Sequence, residues 1–367
     1  MRKLTLLVFI ILLTSFSFPQ EIKDPAIKYN PRSYICYRSS GSIKIDGKLD
    51  EKIWSKAPWT NNFVDIRGEK YPEPRFDTRA KMLWDDEYFY IGAKIDEPDI
   101  WATLTNRDAV IYHDNDFEVF IDPNGDTHNY SELEMNALNT VWDLLILKPY
   151  RDGNTAINGW DIHGLKTAVY ADGSINDPLH KDNYWSVEIA IPWNALKEIA
   201  GTKTPPLSGD QWKVNFSRVE WKTDIKNGKY ERQIGPVTGK ILPEDNWVWS
   251  PQGLINMHYP EMWGLVQFSD KIAGRGIDSF KNDPYKNIKW ILREVYYKQR
   301  KYFLQNKKYA STLKELIHSE KLQVPNGINI NFGTTLNLYE AWIKTDDGNE
   351  IISIDEEGKL RIRKNPK

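Results

Sequence analysis

Between residues 34 and 270, apolar positions come in short runs that alternate with polar ones and are broken by turn formers. This is the pattern of strands that each bury one face. Residues 80–84 and 88–95 flank Asp85-Asp86-Glu87 and predict a hairpin. Phe117, Val119 and Ile121 alternate in a run that ends at Asp122-Pro123-Asn124-Gly125-Asp126, a strong turn signal. Residues 133–138, 142–147, 185–191 and 212–219 predict further strands, and 193–200 a short helix stopped by Gly201. The succession predicts an all-β fold, an antiparallel β-sandwich spanning residues 30–270.

Past Gly274-Arg275-Gly276 the period changes. Ile288, Ile291, Leu292, Val295, Tyr296, Gln299 and Phe303 recur at helical spacing behind Asp283-Pro284, and Thr312-x-x-Glu315 is the capping box of a second, shorter helix. Residues 338–344, 350–354 and 360–363 then alternate around the Asp347-Gly348 and Glu357-Gly358 turns. Residues 280–367 therefore read as a small α+β extension, a helix followed by a small antiparallel sheet. A unit of that size has little core of its own, so docking on the sandwich is expected.

Alternation also assigns faces. Asp116 and Glu118 point away from Phe117, Val119 and Ile121. Glu132, Glu134 and Asn136 point away from Leu133 and Met135, and Glu188 away from Val187 and Ile189. If these strands are neighbours, an acidic patch bearing an amide forms on one side of the sandwich. Such a patch accepts hydrogen bonds from sugar hydroxyls, suits a hard cation, or supplies an acid/base pair for glycoside cleavage from among Asp116, Glu118, Glu132, Glu134 and Glu188. The plainer alternative is a solvated strand face.

The composition narrows the function classes. With a formal net charge of −2 the chain lacks the basic stripe of a nucleic-acid binder. Its 15 Trp, 19 Tyr and 13 Phe suit both strands and the flat faces of sugars. Arg2 and Lys3 precede the apolar run 4–18, which reads as a signal peptide within residues 1–20, an N-terminal membrane anchor being the alternative. The expectation is an exported protein (periplasmic, cell-surface or extracellular) with no membrane span after signal cleavage. Cys36, the single cysteine, sits in an apolar run and reads as a buried thiol.

Five stretches together resemble the family 9 carbohydrate-binding modules. Residues 43–54 (IKIDGKLDEKIW) look like the family's opening motif, 83–91 (LWDDEYFYI) its first hairpin, and 115–122 (NDFEVFID) its central acidic strand. Residues 187–193 (VEIAIPW) and 260–264 (PEMWG) follow in the expected order. The resemblance implies a sandwich that binds polysaccharide or oligosaccharide without cleaving it, with structural calcium elsewhere and often beside a glycoside hydrolase. It places Tyr112 where a stacking tryptophan is expected and Glu118 on the sugar-contacting acid. Glu134 stands where a binding arginine is expected, Ser217 at a glutamine position, and Met257 where the second tryptophan belongs. The implied slot is therefore rebuilt here.

Further candidates lie close to these. Asn136 shares the face of Glu134, Arg218 and Trp221 offer a guanidinium beside an indole, and Trp249 follows Trp247 in a loop bounded by Pro251 and Gly253. Asp122, Asn124 and Asp126 have the alternating oxygens of a calcium loop, against a plain Asx-rich turn. His113, His128, His163, His180 and His258 are too scattered for a zinc cluster. The leading reading is an exported carbohydrate-binding protein supporting glycan catabolism, with glycoside hydrolases or cell-surface proteins as partners through the extension. The alternatives are a glycoside-active enzyme and a haem-binding sandwich with Met257 as axial ligand.

Overall fold

The structure, a computed structural model, describes residues 22–153, 156–319, 322 and 324–366, so the expected signal segment lies outside the described residues. The chain opens with β1 (Ser33–Arg38) and β2 (Val64–Asp65), then the predicted hairpin β3 (Thr78–Trp84) and β4 (Tyr88–Asp96). A meander follows: β5 (Asp116–Asp122), β6 (Tyr130–Asn136), β7 (Val141–Ile146) and β8 (Ala156–Ile157). After β9 (Lys166–Asp172) come β10 (Tyr184–Pro192), α1 (Trp193–Ala200) and β11 (Gln211–Glu220). The separate hairpin β12 (Thr223–Lys226) and β13 (Lys229–Arg232) precedes β14 (Asp245–Val248) and β15 (Gly264–Ile272).

The strands run β8-β7-β6-β5-β11-β15-β1-β3-β4-β10-β9, with β14 also on β11 and β2 on β14. This path folds over so that both halves face one core. Phe117, Val119, Leu133, Met135, Trp212 and Phe216 from one half pack with Met82, Trp84, Ile91, Trp185 and Val187 from the other, as in a sandwich. One departure from an antiparallel fold is β1, which runs parallel to both β15 (Tyr34 beside Val266) and β3 (Tyr37 beside Leu83) and closes the seam between the halves. The strand expected at 133–138 ends at Asn136, because that side chain accepts the N–H of Leu138 and of Thr140 and forms the turn. Strand β9, half-exposed and paired to β10, lacks a clean alternation and was not predicted.

Trp54, Trp84, Trp193 and Trp263 are all buried, as their apolar settings imply. Trp84, Phe89, Trp193, Trp212 and Phe268 meet edge-on or offset at centroid distances of 5.2–6.2 Å. Such pairs add ~0.5–1.5 kcal/mol each beyond area burial. Cys36 is buried, and burial pushes its thiol well above the usual range. Glu188 explains the opening motif. Its carboxylate accepts the N–H of Asp46 and Gly47, both at 2.8 Å, and the indole N–H of Trp54 at 2.8 Å. Gly47 is at φ 87°, and a Cβ there would lie 2.5 Å from the backbone of Val169 and Tyr170.

The extension holds α2 (Lys286–Asn306), α3 (Leu313–Ser319) and an antiparallel sheet of β16 (Asn331–Thr334), β17 (Tyr339–Lys344), β18 (Glu350–Asp355) and β19 (Leu360–Lys364). Strand β16 was not predicted. The expected stripe packs Ile291, Leu292, Val295 and Tyr296 against Ala341, Ile343, Ile352 and Ile354, and also against Tyr259 and Met262 of the sandwich. Buried ion pairs fix this docking. Arg300 of α2 meets Asp152 at 2.5 Å, and Arg293 of α2 lies 3.9 Å from Glu261, which Arg151 of the sandwich holds at 2.9 Å, while the Tyr296 hydroxyl donates to Asp152 at 2.7 Å.

Candidate functional site

Strands β6, β5 and β11 are adjacent, and their faces away from the core form one surface. In register across it stand Glu134 on β6, Glu118 on β5 and Ser217 on β11. Asp116 and Glu132 flank this row. Glu188 does not join it, because β10 belongs to the other half of the sheet path, so the acidic patch expected from three strands comes from two. The surface is also not solvated: Asp116, Glu118, Glu132 and Glu134 are all buried.

A short 3-10 turn, Ile111–His113, carries Tyr112 over the edge of this row. Glu134 Oε2 accepts the Tyr112 N–H at 3.0 Å, and the Trp221 indole N–H donates to the Tyr112 carbonyl at 2.9 Å. Both backbone polar atoms of Tyr112 are thus held, while its ring is 40% exposed. Asp114 ties the same loop down by accepting the N–H of Thr103 and Leu104 and the Asn136 amide.

Electrostatically the row is unusual. Burial raises Asp116, Glu132 and Glu134 well above the carboxylate range, and neighbouring carboxylates push further the same way. Burial also raises Glu118, to about 7, with the nearby Ser217 hydroxyl pulling back. Among the described residues, the charged groups that act most on these four are other carboxylates. Asp116, Glu118 and Glu134 each bring an oxygen within 4.8 Å of the others, a spacing one cation can share. Asp116 Oδ2 has no hydrogen-bond partner. The other close carboxylate trio among the described residues, Asp108, Asp143 and Asp161, already holds the Arg107 guanidinium.

Tyr150, which the sequence reading did not single out, borders the same row. Burial raises its phenol, and the charges of Glu132 and Glu134 add to that shift. Its ring leans on His258 at a centroid distance of 4.1 Å, and burial with nearby Arg151 lowers that imidazole to about 3. Tyr150 follows Lys148-Pro149 outside any alternating run, so no strand pattern marked it. Met257 lies close by, buried in a small cluster with Phe120 and Trp263.

Four other candidates are placed differently from expectation. Arg218 is wholly buried, donating to Glu97 at 2.6 Å, Glu220 at 2.8 Å and Thr78 at 3.0 Å, so it is an interior ion-pair centre and cannot face a sugar. Trp249 is likewise in the core, against Phe216. Asn136 uses both amide hydrogens and its carbonyl on the protein itself, which leaves nothing for a ligand. Trp221 is nearly buried under the Arg232 guanidinium and acts on Tyr112 from behind. At the expected calcium loop, Asp122 accepts the N–H of Gly125 and Thr127, Asp126 accepts that of His128 and pairs with Lys359, and Asn124 donates to Asp126. That is the geometry of an Asx turn rather than an open ring of oxygens.

Residues 45–209 match the family described as carbohydrate family 9 binding domain-like, in agreement with the resemblance read from the sequence. Over 164 residues the chain is 29% identical to Exoglucanase XynX of Acetivibrio thermocellus, covering 44% of this chain and 12% of that protein. Over 93 residues it is 32% identical to Endo-1,4-beta-xylanase C of Paenibacillus barcinonensis, covering 25% of this chain and 8% of that protein. The chain therefore matches only a small part of the length of either relative. A family 9 carbohydrate-binding module from Caldicellulosiruptor kristjanssonii, solved with cellotriose, aligns over 68% of this chain and 100% of its own, at 19% identity and a TM-score of 0.41. Tyr112, Glu118 and Glu134 lie inside the matched segment; Ser217, Trp249 and the extension lie outside it.

Proposed function

We propose that the sandwich is the non-catalytic carbohydrate-binding unit of an exported protein that supports glycan breakdown. A sugar ring would lie on Tyr112, with Glu118 and Glu134 accepting hydrogen bonds from its hydroxyls and Tyr150 standing as a second aromatic wall. The observation that carries this reading is the half-exposed ring of Tyr112, held at both backbone atoms beside two facing carboxylates. An aromatic face with adjacent acceptors is what a sugar, apolar on its faces and rich in hydroxyls at its rim, requires. The non-catalytic part draws on the matched binding-domain family. Export draws on the apolar leader, and among the described residues no helix is long and apolar enough to cross a membrane. Affinity electrophoresis through gels containing cellulose- or xylan-type polysaccharide tests the reading. Retardation that Tyr112→Ala abolishes is expected, and equal mobility of both proteins in every gel would overturn it.

Calcium belongs to the same proposal, at Asp116, Glu118 and Glu134 rather than in the 122–126 turn. Buried carboxylates without a counter-charge are costly unless protonated or bound to a cation. Asp116 Oδ2 supplies an oxygen without a hydrogen-bond partner, beside the carboxylates of Glu118 and Glu134.

A further inference from the structure

The outer face of β5, β6 and β11 has a second end. Phe120, Tyr130, Trp263 and Met257 fill its middle. Beyond them, Lys213 stands in register with Asp122 and faces a cavity of about 550 Å³ between the sandwich and α2. Tyr29, Lys286, Lys289, Trp290 and Arg293 line it with Lys213, a volume suited to a ligand of monosaccharide to disaccharide size.

Arg293 is the anomaly in this cavity. It is 1% exposed, yet Nε, Nη1 and Nη2 all lack a hydrogen-bond partner. Its ion-pair contact is Glu261 Oε1 at 3.9 Å, and that carboxylate is already bound by Arg151 at 2.9 Å and by the Tyr297 hydroxyl. The fold makes room for this guanidinium: Gly358 has φ 74°, and a Cβ there would lie 2.6 Å from Arg293 Nη1.

The surrounding charges leave a cationic excess. Arg151, Arg293 and Arg300 are buried against Glu261 and Asp152. Lys213, which burial lowers to about 7 against the pull of Asp122 and Glu261, donates to the carbonyls of Glu261 and Trp263, at 2.9 and 3.1 Å, rather than to a carboxylate. Of the other acids on the lining, Asp283 pairs with Lys289 at 2.8 Å and Asp210 accepts the Leu207 N–H. A buried guanidinium with no acceptor is strongly disfavoured, whereas one that receives an oxyanion makes short, charge-assisted bonds.

We infer that this cavity binds a small oxyanion-bearing ligand, a carboxylate or phosphate seated on Arg293 and Lys213, with the stacked Tyr29–Trp290 pair, 4.3 Å between centroids, as one wall. The site is separate from the Tyr112 groove and does not depend on sugar binding there. Titration calorimetry of the full chain with galacturonate, inorganic phosphate and glucose tests it. Galacturonate or phosphate should bind, with glucose inert at this site, and Arg293→Met should weaken that binding about tenfold or more. Competition by phosphate would assign the shared oxyanion, and galacturonate binding alone would assign a sugar acid. Lys286→Ala, on the same lining, should weaken binding several-fold and serves if Arg293→Met does not fold. Failure of both anions to bind at tens of millimolar, or binding untouched by both substitutions, would overturn the inference.

Discussion

Glu118 and Glu134 face each other in register across two paired strands, both buried, and among the described residues the charges that act most on them are those of other carboxylates. Proteins rarely retain such a pair without a ligand, a shared proton or a cation. Calcium is expected to raise the midpoint of thermal unfolding. The gain should approach about 2.7 kcal/mol at a hundredfold excess over the dissociation constant. Glu118→Gln and Glu134→Gln should each lose that response while becoming more stable without calcium, since like-charge crowding is relieved. A calcium response unchanged in both variants would contradict the assignment. Differential scanning fluorimetry with and without chelator reads both effects.

Trp221 holds the Tyr112 carbonyl rather than a ligand. Trp221→Phe should cost ~1 kcal/mol of stability through one hydrogen bond, and should weaken sugar binding less than Tyr112→Ala does. Calorimetry beside chemical denaturation separates the two. A loss of affinity as large as that of Tyr112→Ala would mean that the indole itself touches the sugar.

Glu188 is expected to matter for folding alone. Glu188→Ala leaves the N–H groups of Asp46, Gly47 and Trp54 without their acceptor. A loss of about 3 kcal/mol or more is expected in urea unfolding. Sugar affinity of the folded fraction should be unchanged, as β10 lies on the other half of the sheet path from the groove.

Acid should loosen the contact between extension and sandwich. Burial alone would raise Glu261, but Arg151, then Arg293 and the Tyr297 hydroxyl, hold it at about 2 against an ordinary 4.5. A depressed carboxylate stabilises the fold above its unfolded value, and that contribution fades as pH falls from about 4.5 towards 2. The full effect is on the order of 3 kcal/mol. Hydrogen exchange of α2 should accelerate over that window, and Glu261→Gln should abolish the pH dependence of that exchange.

The alternation of Phe117, Val119 and Ile121 with Asp116 and Glu118 was enough to assign the core and its opposite face. Adjacency along the chain could not reveal that the loops bearing Tyr112 and Met257 fold over that face and bury it. Arg218 carried a signal that composition obscured: it shares parity with Trp212, Val214 and Phe216, so it had to point inward, where Glu97 and Glu220 receive it. Trp249 sits in a segment bounded by Pro and Gly that reads as an exposed loop. Its N–H bonds to the Phe216 carbonyl at 3.0 Å and keeps that segment against β11, with the indole in the core. The parallel pairing of β1 with β15 joins segments more than 200 residues apart, a distance over which local pattern says nothing.

The sugar site at Tyr112 is tested most directly by calorimetric titration of wild type and Tyr112→Ala with cellotriose and xylotriose. Wild type is expected to bind at least one of them, and Tyr112→Ala to lose about tenfold or more in affinity, the worth of one stacked ring. Equal affinities for the two proteins, or no binding of any oligosaccharide by wild type, would contradict a sugar site at Tyr112, Glu118 and Glu134.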